Sequence, residues 1–99
     1  MNHFLYKLIP PRQTFALDMT EAEGAILHEH FAYWSRLISE RKAIAYGPVI
    51  DPKGMYGVAV VEIENHATAM SIAVGDPAIR SKTGFGFEIH EIADAIVRP

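Results

Sequence analysis

Residues 56–64 read "YGVAVVEIE", and the fold turns on how this run is interpreted. Its β-branched residues and the breakers on either side make it a strand. Val58 and Val60 point to one side of that strand, while Ala59, Val61 and Ile63 point to the other. An antiparallel sheet with one face in water alternates apolar and polar residues. This strand is apolar on both sides, so both faces of its sheet are expected to be covered.

The flanking sequence supplies the other elements. "HFLYKLI" (3–9) is a first strand, with Phe4, Tyr6 and Leu8 on one side against Leu5 and Ile9, and it stops at Pro10-Pro11. The consecutive prolines predict a loop over 10–19. Thr20 and Glu23 have the spacing of a capping box, which opens a helix running to about Arg41, where Arg41 and Lys42 suit its negative end. "AIAYG" (43–47) is a second strand ending near Gly47-Pro48, followed by a breaker-rich turn, "DPKGMYG" (51–57). Asn65 is placed to cap a second helix, which "GDP" (75–77) ends. Asp76-Pro77 has the form of an N-cap followed by proline at the first position of a short helical turn. "FGFEIHEI" (85–92) is a fourth strand, and the tail "ADAIVRP" reads as a helical turn or an irregular arm.

The order is βαββαβ, the ferredoxin-like arrangement of the α+β class, with two helices on one face of a four-stranded antiparallel sheet. The helices cannot cover both faces in this topology. A second copy of the chain is the simplest cover, giving a homodimer through the sheet face. A loosely shielded apolar face is the alternative, and large apolar patches rarely stay exposed.

Totals bound the function. The 99 residues predict a single domain spanning 1–99, and 49% hydrophobic composition argues against disorder. A net charge of −3 without a basic block argues against nucleic acid as a partner. The absence of cysteine removes disulfides, thiolate ligands and a Cys nucleophile. No charged leader with a long apolar run is present, and no stretch has membrane-spanning length. A small soluble cytoplasmic domain without a membrane partner is the expectation.

The first helix carries "HEHFAYW" (28–34), which resembles a metal motif. A helix turns roughly 100° per residue, so His28 and His30 point nearly opposite ways and cannot share a ligand. The zinc-protease pattern needs His at i and i+4. With Leu27 as zero, Phe31, Trp34 and Ile38 fall within about 40°, His30 near −60° and Tyr33 near −120°. Phe31 and Trp34 are therefore expected in the core, His30 toward the sheet, Tyr33 at a pocket rim, and His28 and Glu29 toward water. His3, His66 and His90 are scattered, so no metal site is expected.

A histidine on an apolar face is most often a core residue with one hydrogen bond. A functional reading needs a carboxylate to fix its tautomer. Asp76, after the second helix and in an apolar stretch, is the candidate. It can also be simply the N-cap of the turn at Pro77, and the two roles are compatible because a carboxylate has several acceptor sites.

"LHEHFAYWSRL", "YGPVIDPKGMYGVAVVEIE" and "AVGDPAIRSKTGFGFEIHEI", in that order, resemble the YciI-like (YCII-related) family over roughly residues 4–92. The resemblance implies a ferredoxin-like unit that pairs through its sheet into a dimeric α+β barrel. It also implies an active site of a helix-one histidine and the aspartate of an Asp-Pro pair, which match His30 and Asp76, with Gly47-Pro48 near the same pocket. The family often has Gly between helix one and strand two, where this chain has Arg41-Lys42-Ala43. One branch of the family is associated with dehydrochlorination of a chlorinated hydroxyquinol. Fold analogy does not carry that substrate over.

No phosphate loop, dinucleotide fingerprint or nucleophile elbow occurs, so no cofactor is expected. An imidazole oriented by a carboxylate can take a proton from an activated carbon or hydroxyl and return it elsewhere. The sequence thus predicts a cofactor-independent lyase or isomerase acting on a small organic molecule. Its catalytic pair is His30 and Asp76, and Tyr33, Gly47 and Pro48 are the substrate-binding candidates. Tyr46 and Tyr56 flank the loop "GPVIDPKGM", which can shape or cover a pocket. The alternative is a non-catalytic small-molecule-binding or accessory module using the same pocket. Both predict His30 and Asp76 side by side in a solvent-reachable cavity; side chains far apart, or sealed away from solvent, would rule out a dyad acting on the ligand.

Overall fold

The computed structural model describes all 99 residues. In chain order the elements are β1 (Asn2–Ile9), α1 (Phe15–Asp18), α2 (Glu21–Ser39), β2 (Ala43–Val49), β3 (Tyr56–Ile63), α3 (His66–Gly75), α4 (Pro77–Arg80) and β4 (Gly86–Ile92). The strands form one antiparallel sheet in the order β2-β3-β1-β4. Each crossover, through α2 or through α3 and α4, skips over one strand, which gives the α+β, ferredoxin-like arrangement with β1 and β3 at the centre.

Register sorts the residues of the two central strands. Phe4 lies opposite Val61, Tyr6 opposite Ala59, and Leu8 opposite Gly57. All of these are buried against the helices, with Trp34 and Leu37 of α2 and Ala69, Ile72 and Ala73 of α3. The other face pairs Leu5 with Val60 and Lys7 with Val58, all half-buried in the single chain. Its edge carries polar pairs such as His3 with Glu62 at 2.8 Å.

α2 starts as its capping box dictates: the Glu23 amide donates to the Thr20 hydroxyl and the Thr20 amide to the Glu23 carboxylate. Arg12 holds that carboxylate through both terminal nitrogens, at 2.7 and 2.8 Å, and reaches Asp18 at 2.7 Å. These bonds order the segment expected to be a plain loop, and the short α1 forms in it with Phe15 buried.

Two boundaries and the facing of α2 differ from expectation. α2 ends at Ser39, and Arg41 adopts a left-handed φ of 62° while the Lys42 amide reaches back to the Leu37 carbonyl. That is the position where glycine usually closes a helix. β2 runs through Pro48 to Val49, because proline is tolerated on an edge strand. The buried arc of α2 is centred on His30 rather than Leu27, so Phe31 and Ile38, expected inside, are 42% and 39% exposed. The tail forms one turn and then no regular structure.

β2 also carries an irregularity. Its pairing with β3 shifts between Ala43 and Ala45, leaving Ile44 bulged outward. Ala43 and Tyr46 are an odd number of residues apart, yet both face the helices. The extra residue of the bulge makes that possible.

Candidate functional site

The site is built where α2, the α3–α4 junction and β2 meet above the central strands. Asp76 sits between the two helices, and its carboxylate accepts the Ala78 amide at 2.8 Å as the N-cap of α4. Pro77 at the first helical position fixes that turn. The cap role and the histidine role therefore coexist on one side chain.

His30 Nδ1 lies 2.8 Å from both Asp76 oxygens. Oδ2 also accepts the Tyr6 hydroxyl at 2.8 Å and the Trp34 indole N–H at 2.9 Å. His30 and Asp76 are both 0% exposed, and no buried side-chain polar atom lacks a partner. Burial by itself pushes the Asp76 carboxyl up. The hydrogen bond and charge of His30, with the Trp34 indole and the Ala78 amide, reverse that and hold it below the usual carboxylate range. An ionised carboxylate only accepts, so the proton on Nδ1 belongs to the imidazole, which donates it to Asp76.

The far nitrogen, Nε2, is hydrogen-bonded to the Tyr46 hydroxyl. The Tyr46 ring stacks on Trp34 at 5.6 Å and stands edge-on to His30 at 4.9 Å. Burial, and then the charge of Asp76, push its phenol well above the ordinary value, so it keeps its proton. Gly57 lies directly beneath: a Cβ there would stand 3.1 Å from Tyr46 Cζ and closer still to the hydroxyl. Gly57 is not among the glycines with positive φ, so its role here is to leave space rather than to permit a turn.

On its open side Tyr46 lines a cavity of about 320 Å³. The walls include Leu8, Phe31, Pro48, Met55, Phe85 and Tyr56, so the chamber is largely apolar, with the Tyr56 hydroxyl besides that of Tyr46. Phe31, displaced from the core by the rotated arc of α2, forms part of this wall.

The sequence-predicted residues divide as follows. His30 and Asp76 are brought together, but they are not solvent-reachable: the expected open dyad is closed over by Tyr46, so a pair that itself touches a ligand is ruled out in this structure. Pro48 lines the cavity. Gly47 does not, because its position pairs with Val58 on the opposite face of the sheet. Tyr33 does not either; its hydroxyl donates to the Ile72 carbonyl at 2.7 Å, in room left by Gly75, and its ring borders a separate, more polar groove of about 860 Å³. His28 and Glu29 are exposed, and His90 faces away from the helices beside Glu88. No cluster of three or more potential metal-ligating side chains occurs, and no helix is long and apolar enough to cross a membrane.

Sequence reasoning missed Tyr6 and Trp34 as members of the site, and it placed Tyr46 only beside a loop able to shape a pocket, not against His30. A signal existed for the first two. A buried Tyr or Trp must place one polar atom on a partner, and Asp76 was the acceptor at hand. For Tyr46 the contact with His30 had no such signal, because its direction depends on the bulge.

A family model described as the YCII-related domain matches residues 4–94. No curated protein matches the chain.

Proposed function

The chain belongs to the YCII-related family, and from that premise we propose that it is a cofactor-independent proton-transfer enzyme, a lyase or isomerase for a small, largely apolar organic molecule bound in the cavity beside Tyr46. One observation carries this reading. A buried, ionised aspartate is held by the hydroxyl of Tyr6, the indole of Trp34, the amide of Ala78 and the imidazole of His30. Such an arrangement fixes one tautomer and stabilises the imidazolium formed when Nε2 gains a proton. A core histidine needs only one hydrogen bond, whereas this one is oriented at both nitrogens.

The test is solvent exchange. A panel of enolisable 2-oxo acids, β-keto acids and substituted phenols is incubated with the protein in deuterium oxide and read by mass. The wild type should label at least one member, and His30→Ala should lose the labelling, by about 100-fold or more, while staying folded. If no member is labelled, the enzyme reading fails.

A non-catalytic binding module is the second reading, favoured by the complete burial of His30 in the unliganded chain. It predicts a ligand retained in the cavity and no exchange in any variant.

We also propose that a second copy covers the outer sheet face. Support comes from the apolar centre formed by Leu5, Val58 and Val60. Light scattering should give twice the chain mass of 11.0 kDa, and Val60→Lys should return the monomer. A monomeric wild type would rule this out.

A further inference from the structure

Every polar atom of the His30 ring is already engaged inside the protein, so the ring cannot itself touch a ligand in the cavity. Tyr46 is the side chain that spans the two. We infer that Tyr46 is the catalytic residue that exchanges the proton with the substrate, and that His30 and Asp76 act behind it as a relay. This deepens the acid–base reading above and rests on it.

The polarity of the hydrogen-bond chain gives the direction. Asp76 accepts from Nδ1–H. When the ring holds one proton, Nε2 is therefore an acceptor, and the Tyr46 hydroxyl must donate to it. That oxygen is then left to accept from the cavity it lines, where Tyr56 carries the one other side-chain hydroxyl. The chamber thus presents an acceptor to its ligand and selects a molecule with an apolar body and one acidic O–H or C–H.

In the reactive step the ligand's C–H or O–H bond breaks, and its electron pair stays on the ligand. The proton bonds to the Tyr46 oxygen as the former hydroxyl proton passes to Nε2. The imidazolium so formed is balanced by the Asp76 carboxylate. Reversal returns a proton to a different ligand atom, which completes an isomerisation, or to a leaving group that departs with its bonding pair, which completes an elimination. No free phenolate is needed, which suits a phenol that burial and the Asp76 charge keep protonated.

Two measurements on Tyr46→Phe test this, beside wild type and His30→Ala. The first is the exchange assay. Loss of about 100-fold or more in both variants supports the assignment. Loss in His30→Ala with activity kept in Tyr46→Phe overturns it and leaves the proposed function standing. The second uses fluorine NMR to compare binding of 4-fluorobenzyl alcohol, which can donate, with 4-fluoroacetophenone, which cannot. Wild type should favour the alcohol by about threefold to tenfold, and Tyr46→Phe should abolish the preference. An equal ratio in both proteins overturns the assignment. If the wild type exchanges nothing, the proposed function falls and the alcohol-to-ketone ratio alone decides whether Tyr46 is the ligand contact. Should Tyr46→Phe fail to fold, 3-fluorotyrosine at 46 keeps the shape and acidifies the hydroxyl. The exchange pH profile, or the alcohol preference where nothing exchanges, must then move; an unmoved readout overturns the assignment.

Discussion

Gly57→Ala is the smallest perturbation that reaches the site, and its effect can be worked from distances. The new Cβ would fall within 3.0 Å of the Tyr46 hydroxyl, 3.1 Å from Cζ and 3.3 Å from Cε1. The phenol must withdraw by several tenths of an ångström, but it is clamped between Trp34, His30 and Phe31. Overpacking of this kind costs about 1–3 kcal/mol. Pulling the hydroxyl off Nε2 leaves a buried acceptor without a partner, for about 1–3 kcal/mol more. A total of about 2–6 kcal/mol should lower the melting temperature of a domain this size by roughly 10–50 °C. Urea unfolding gives the free energy directly. The hydroxyl makes the closest approach, so Tyr46→Phe should relieve part of the damage. The double variant should then be more stable than the sum of the singles by about 1 kcal/mol or more. A Gly57→Ala protein within about 0.5 kcal/mol of wild type, or strictly additive effects in the double variant, would refute the placement of Tyr46 over β3.

Other outcomes follow from the same geometry. Asp76→Asn puts an amide nitrogen where donors converge and should destabilise by about 3–5 kcal/mol, measurable by thermal melting. Asp76 is held below its usual range, so its contribution is complete above the unfolded aspartate value of about 3.9 and is lost as pH falls through the lower folded value. Stability should therefore drop in acid below about pH 4, and less steeply in Asp76→Asn; identical slopes would contradict this. Arg41 adopts a left-handed φ of 62°, so Arg41→Gly should stabilise by about 0.5–1 kcal/mol in urea unfolding, and a loss of stability would show the cap is not strained.

Much of this molecule was legible in the chain because its signals are local. The capping box at Thr20, the Asn65 cap and the Asp76-Pro77 turn each fix an element boundary within a few residues. Helical angles were enough to separate His28 from His30, and the double-sided apolar pattern of β3 showed that the outer face of the sheet is apolar too. What was not legible depends on tertiary choices. The buried arc of α2 is set by where Asp76 pulls His30, Trp34 and the Tyr6 ring together, and this turns Phe31 and Ile38 outward despite their hydrophobicity. Tyr33 failed as a cavity residue because the Ile72 carbonyl, from a helix far along the chain, claims its hydroxyl. α1 escaped notice because Arg12 organises it through carboxylates on both sides.

The bulge at Ile44 makes the side on which Tyr46 appears a matter of counting. Side chains in a strand alternate with period two, so straightening the strand with every residue kept would exchange inside for outside beyond Ile44. Tyr46 would leave His30 for the far surface of the sheet, and its neighbours Ala45 and Gly47, neither with a hydroxyl, would turn inward. Deleting Ile44 does the reverse: Ala43 and Tyr46 then stand two apart and share the helix side in a regular ladder. Descendants of this chain could thus shed the irregularity by a three-nucleotide deletion at Ile44 and keep the proposed proton route.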